Sequence, residues 1–148
     1  MRLELELNGE PVAVDVAGDA LLLDVVRQRG LTGTREGCGV GVCGACAVLV
    51  DDEPVSSCIY LAGCAHGRRV WTVEGVARRH PEVVAAFVEH EGVQCGACTS
   101  GQVVMAAALA LRGGDPDERA VREFLAGNLC RCTGYRSIVD SARAVVGR

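Results

Sequence analysis

The stretch Cys38-Gly39-Val40-Gly41-Val42-Cys43-Gly44-Ala45-Cys46 places three cysteines on one short segment, with four and then two residues between them, and Cys58 follows after eleven more. This is the spacing of a plant-type [2Fe–2S] loop. The residues between the cysteines suit that chemistry. Gly37, Gly39, Gly41 and Gly44 let the backbone fold tightly around a compact anion, and their N–H groups can point at sulfur as in an anion nest. A structural zinc site typically uses two Cys pairs that each chelate alone, whereas here three cysteines share one loop and the fourth is distant.

Around this loop the first half reads as β-rich. Leu3, Leu5 and Leu7 alternate with Arg2, Glu4 and Glu6, the period of a half-buried strand. Asn8-Gly9 is a two-residue hairpin signal, and Val12, Val14 and Val16 alternate again. A short helix follows, with Asp19 expected as N-cap, an apolar face of Leu22, Leu23, Val25 and Val26, and Gly30 as its stop. Ala47 to Val50 reads as a buried strand, Asp51-Asp52 as a turn, and Val70 to Val73 as the last strand. The second half takes a helical period. Pro81 opens a helix with Val83, Val84, Phe87 and Val88 on one face. Ser100 to Leu111 is apolar nearly all round and reads as a buried central helix, whose Ala106-Ala107-Ala108 run lets neighbours approach closely. Asp115-Pro116-Asp117-Glu118 opens the next helix, with Asp115 expected as its cap, and Ile138, Val139, Ala142, Val145 and Val146 mark the last. The period changes from two to 3.6 near residues 74–80.

The second half carries its own cysteines: Cys95-x2-Cys98 and, after 31 residues, Cys130-x-Cys132. By spacing alone this set is open between zinc, an iron–sulfur cluster and, for Cys95-Gly96-Ala97-Cys98, a redox dithiol. The dithiol reading wants a preceding strand, and the surroundings are helical. Both pairs adjoin predicted helix ends, where backbone N–H groups are free for an anion. Cys64 is left over. It reads as a small buried hydrophobe, with a minority reading as the fourth ligand of the first set in place of Cys58.

Composition narrows the function. The 148 residues suit one domain or two small ones; 49% are hydrophobic, which argues against disorder. A formal net charge of −4 and only 3% aromatics argue against a nucleic-acid binder. The longest apolar run, Val103 to Leu111, is about half of what a membrane span needs. Alternating acids and leucines at the N-terminus do not read as a secretory signal, so a cytoplasmic location is expected. Nine cysteines, an odd number, with no export signal fit metal or redox chemistry better than a disulfide scaffold. Each half is near the size at which a single core is marginal and a metal centre acts as a staple; five cysteines fall in the first and four in the second.

Taken together, Gly37 to Cys46, Ser57-Cys58, Val93-Gln94-Cys95-Gly96-Ala97-Cys98-Thr99 and Gly127-Asn128-Leu129-Cys130-Arg131-Cys132-Thr133-Gly134-Tyr135 closely resemble the small iron–sulfur subunit of the molybdenum hydroxylases, the family of xanthine dehydrogenase, aerobic carbon monoxide dehydrogenase and aldehyde oxidoreductase. The resemblance runs from the first hairpin to the last helix, and includes Thr72-Val73-Glu74-Gly75 and His80-Pro81. It implies an α+β fold: a β-grasp, plant-type ferredoxin domain over 1–75, then a four-helix [2Fe–2S] domain over 76–148. It implies two [2Fe–2S] clusters, one on Cys38, Cys43, Cys46 and Cys58 and cradled by Gly39, Gly41 and Gly44, the other on Cys95, Cys98, Cys130 and Cys132. Bound, they take the formal charge to about −8.

Gln94 matches the family residue that contacts the molybdopterin. The implied partners are a large molybdopterin subunit and an FAD-binding medium subunit, in a hetero-oligomer that includes a dimer of heterotrimers. Electrons would pass from molybdenum through the helical-domain cluster, expected to be buried, then the ferredoxin cluster, to FAD or another acceptor. No catalytic residue is expected on this chain, which would be the iron–sulfur subunit of an oxidoreductase. His66, His80 and His90 read as solvated or capping. The alternatives are a free-standing two-cluster carrier and a zinc-stabilised interaction module. Departures from the family pattern are Ala97 where Phe is usual, Ser100 where Pro is usual, and Asp52 where a turn Gly is common.

Overall fold

The computed structural model describes residues 1–146. Gly147 and Arg148, the end of the expected 76–148 span, lie outside the described residues.

The alternating leucines form β1 (Arg2–Leu7), which pairs antiparallel with β2 (Glu10–Asp15) in a register that sets Leu3 opposite Val14 and Leu5 opposite Val12. Asn8 (φ 54°) and Gly9 (φ 88°) turn the hairpin, both left-handed as a two-residue connection of this twist demands. β3 (Ala47–Val50) and β4 (Glu53–Ser56) make a second hairpin, turned by Asp51 (φ 51°) and Asp52 (φ 69°). Asp52 thus holds the backbone shape a turn glycine would give, with its carboxylate on Arg69 and Arg79. β5 (Arg69–Trp71) lies between β1, parallel to it, and β3, antiparallel, giving the order β2-β1-β5-β3-β4. β4 was not expected; its Pro54 is tolerated because the strand is at the sheet edge.

Helix α1 (Leu22–Gln28) covers one face of this sheet, with Leu22, Val25 and Val26 packed among Leu3, Leu5, Leu7, Val48, Val50 and Val70. Asp19 does not cap it. The residue before the helix is Leu21, held extended by a bridge to Leu61. The free amides of Leu22 and Leu23 instead donate to the carbonyls of Tyr60 and Ser57, so no side-chain cap is needed.

The chain then turns helical: α2 (Val73–Arg79), α3 (Pro81–Glu89), α4 (Thr99–Arg112), α5 (Glu118–Leu125) and α6 (Arg136–Arg143). The strand expected to run to Val73 stops at Trp71, and α2 begins where Thr72 leaves the sheet. α5 starts one turn-residue pair later than expected. Asp117, not Asp115, caps it by accepting from the Ala120 amide at 2.8 Å, and Pro116 precedes the cap.

The two halves do not keep separate cores. All four residues of β3 are buried. The strand's period of two sends Val48 and Val50 toward α1, and Ala47 and Leu49 into the helical core with Val103, Val104, Ala107 and Phe87. α4 therefore packs on the sheet, and its small residues let it sit close.

Candidate functional site

The loop after α1 wraps around the Cys38 sulfur. The amides of Val40, Val42 and Cys43 reach its Sγ at 3.4, 3.3 and 3.4 Å. Left-handed Gly39 and Gly41 (φ 68° and 75°) turn these N–H groups inward. The same three amides hold the Cys38 thiol down, to about 6. Gly37 must be bare, because a Cβ there would lie 2.7 Å from the Cys43 Sγ. Cys58 arrives from beyond β4. The Ser57 hydroxyl and amide both donate to the Cys46 carbonyl, at 2.7 and 3.3 Å, and fasten the two segments together. Cys46 and Cys58 are buried, and burial pushes the Cys58 thiol up to about 11, against the pull of the Gly41 amide.

The second set is assembled from helix ends. Cys98 stands at the N-terminus of α4, and Cys130 and Cys132 lie in the turn between α5 and α6. Tyr135 (φ 70°) shapes that turn, its hydroxyl oxygen accepting from the Cys130 amide at 2.9 Å. Burial drives the Cys98 thiol up to about 12. Burial also acts on Cys130, but the Thr133 hydroxyl, 3.1 Å from its sulfur, and backbone amides outweigh it and bring the thiol to about 7. The Ala97 amide lowers Cys95, while its neighbour Cys95 raises Cys132. A cavity of about 590 Å³ borders all four of these cysteines, together with Cys43, Ala97 and Tyr135.

The expected sets are thus brought together in space. Within each set neighbouring thiols act on one another: Cys43 lowers Cys38, Cys46 raises Cys58, Cys95 raises Cys132 and Cys130 raises Cys98. Among the described residues, no three His, Cys, Asp or Glu converge on one point as a single ion would require. Two pairs of thiols flanked by inward N–H donors fit a two-iron, sulfide-bridged anion.

Other expectations fare differently. The second set is not buried on this chain, since Cys95 and Cys132 are exposed and the cavity is open to the surface. The residues that line the cavity lie in loops and turns, outside the helix ranges. Cys64 sits in a short 3-10 turn, Ala62–Ala65, and is exposed, not a buried hydrophobe; the turn points its side chain outward. Gln94 is exposed beside Phe87, Val88, Glu91 and Val93. His80 precedes α3 with its Nδ1 3.1 Å from Glu82, and His66 accepts from the Glu4 amide at 3.2 Å.

The chain matches two families in order: the 2Fe-2S iron-sulfur cluster binding domain over residues 5–68 and the [2Fe-2S] binding domain over 72–143. It is 41% identical to the nicotinate dehydrogenase small FeS subunit of Eubacterium barkeri, over 99% of this chain and 95% of that one. It is 39% identical to the xanthine dehydrogenase iron-sulfur-binding subunit of Escherichia coli O157:H7, over 94% and 90%. This chain belongs to the iron–sulfur subunits of the molybdenum hydroxylases. The crystal structure of quinoline 2-oxidoreductase from Pseudomonas putida 86 contains a chain that superposes with a TM-score of 0.91 at 40% identity, covering 98% of this chain and 93% of that one. The fold is therefore a β-grasp ferredoxin unit followed by the family's helical unit, and the role is electron transfer within an oxidoreductase.

In this iron–sulfur subunit the two cysteine-bearing regions also touch. The Leu129 amide donates to the Cys43 carbonyl at 2.9 Å. Asn128 and Gln102, both buried, donate to the carbonyls of Gly44 and Asn128 at 3.1 Å each. Sequence reasoning assigned neither amide a role. The available signal was a lone Gln inside an apolar helix, which must find a partner when buried.

Proposed function

We propose that Cys38, Cys43, Cys46 and Cys58 hold one [2Fe–2S] cluster and Cys95, Cys98, Cys130 and Cys132 the other, as the electron wire of a molybdenum hydroxylase. When bound, each cluster supplies a one-electron relay. This chain's residues hold it, aim amides at its sulfurs and keep the two sets adjacent. The observation that carries the reading is the Leu129-to-Cys43 hydrogen bond, which links the residue before Cys130 directly to a member of the first set. We set the division at residue 75–76; separate family matches over 5–68 and 72–143 support two units, and α2 spans the division.

Two separate apolar surfaces suit two partners. Val40, Val42, Ile59 and Leu61 are exposed around the first set. Val88 and Val93 are exposed beside Gln94, next in sequence to Cys95, and Leu129 is exposed beside Cys130. We assign the second face to the molybdopterin subunit, with Gln94 contacting the pterin, and the first face to an FAD subunit or other acceptor. The relatives are subunits of multi-subunit enzymes, which supports a hetero-oligomer with a molybdopterin subunit, and a dimer of heterotrimers is one form open to it. A docking face beside an open cysteine set is not what a free-standing carrier needs. Among the described residues no helix is long and apolar enough to cross a membrane. Nine free cysteines fit the reducing cytoplasm proposed for it.

The test is composition and spectroscopy of the purified complex. The chain should carry about four iron and four acid-labile sulfide, be brown, and give two distinct EPR signals on dithionite reduction. Stoichiometric zinc, with neither iron nor signal, would overturn the reading.

A further inference from the structure

Four residues that are no part of either thiol set meet between them: Gly44, Gly101, Gln102 and Asn128. Asn128 is the pivot. Its Nδ2 donates to the Gly44 carbonyl, and its own carbonyl accepts from Gln102 Nε2. The Gln102 backbone N–H donates to the Cys98 carbonyl at 3.0 Å. This chain of contacts touches three cysteine-bearing segments. Gly44 lies between Cys43 and Cys46, Cys98 opens α4, and Asn128 stands two residues before Cys130.

The glycines set how close the segments come. A Cβ on Gly44 (φ 73°) would fall 2.5 Å from Asn128 Cγ, and one on Gly101 would run into the Gly44 carbonyl. The amides set the direction. At position 102 an apolar side chain would fill the same volume without desolvating a polar group, and the Gln102 Oε1 is buried with no partner. What Gln102 adds is a hydrogen bond that orients the Asn128 backbone, and with it the Leu129 amide that reaches Cys43.

We propose that Asn128, held by Gln102, is a positioning residue that fixes the separation of the two cysteine sets and thereby the rate at which an electron crosses between them. The inference rests on the ligand assignment proposed above. Tunnelling weakens steeply with separation, so a joint that keeps the loops from parting keeps the crossing fast.

The experiment uses the complex purified with its partner subunits and carrying Asn128→Ala, Asn128→Asp or Gly101→Ala. Asn128→Asp keeps the volume of the side chain but removes the donor to Gly44. Iron and sulfide content are measured first, then the magnetic interaction between the two reduced clusters by EPR, and then electron redistribution between them after rapid reduction. The expected result is full cluster content, a weakened magnetic interaction, and redistribution slower by a few-fold for a displacement on the order of an ångström. Val121→Ala, a destabilising change in buried α5, is the control and should leave both cluster readings unmoved.

Full clusters with unchanged interaction and rate in the Asn128 variants would overturn the proposal. So would loss of one cluster in them, because the amide would then serve assembly and not spacing. If Asn128→Ala yields no folded protein, Gln102→Met decides by the same two readings. Wild-type complex lacking two clusters would instead remove the ligand assignment on which the proposal stands.

Discussion

The two cysteine sets solve the same problem with different means. The first is nearly self-contained: one loop supplies three thiols, the glycines that bend it and the amides that face Cys38, and only Cys58 comes from elsewhere. The second has almost no local structure of its own. Its two pairs have 31 residues between them, and helix packing, with the Gln102 to Asn128 hydrogen bond, brings Cys98 to Cys130. A site written in one loop is specified by backbone conformation. A site made of helix ends is specified by a core, and depends on that core's stability.

The largest expected effect is cluster loss. Cys58→Ser should abolish the EPR signal of the first set and spare the second, whereas Cys64→Ser should spare both. The reverse outcome would move the fourth ligand to the exposed 3-10 turn and undo the description of the first set.

Next is Phe87→Ala. Phe87 is fully buried between α3 and its neighbours, so its truncation should cost about 3–5 kcal/mol. If the second set depends on helix packing, its EPR signal should disappear at a lower temperature than the first in a heated sample. Loss of both signals together would show that the core shared through Ala47 and Leu49 makes the two regions one cooperative unit.

Thiol chemistry of the metal-free chain sharpens the contrast further. At pH 7 Cys38, held near 6 by three amides, is mostly thiolate, while buried Cys58 and half-buried Cys98 are protonated. Iodoacetamide should therefore label Cys38 well before those two, as read by peptide mass spectrometry. The sign for stability follows. A thiol whose folded value lies below its unfolded value of about 9 favours the fold above pH 9, and that contribution fades as pH falls toward 6. The Cys38 loop should thus loosen on acidification across that window, measured by hydrogen exchange of Val40 and Val42.

The smallest effects concern helix starts. Asp117→Ala removes a cap and should cost about 1 kcal/mol. Asp19→Ala removes nothing that the α1 amides use and should change stability by less than about 0.5 kcal/mol. Equal losses in thermal denaturation would contradict the two different ways these helices begin.

Much of this was legible in the residues. The leucine alternation of β1, the Asn8-Gly9 turn, the buried strand Ala47 to Val50 and the apolar α4 are local patterns with one sensible structure, and the structure has them. Spacing announced the first cysteine set. The second became readable only through the wording of its motifs, because Cys-x2-Cys and Cys-x-Cys are compatible with several metals. Caps were less legible. Asp19 and Asp115 are good cap residues in isolation, but the Tyr60 and Ser57 carbonyls satisfy one helix start from across the fold, and Asp117 has the better reach for the other.

By itself the sequence determined most of the elements, β4 and α2 excepted, together with the glycine-rich thiol loop and the family, since those depend on neighbours in the chain. Only the tertiary structure decided that the halves share a core through β3, that the second set lies open at the surface, and that Asn128 and Gln102 join the two loops. The physical reason is range. A strand buried on both faces shows which residues are apolar but not what covers them. A buried amide shows that a partner is required but not which one, and Asn128 finds its partner 84 residues away, at the Gly44 carbonyl.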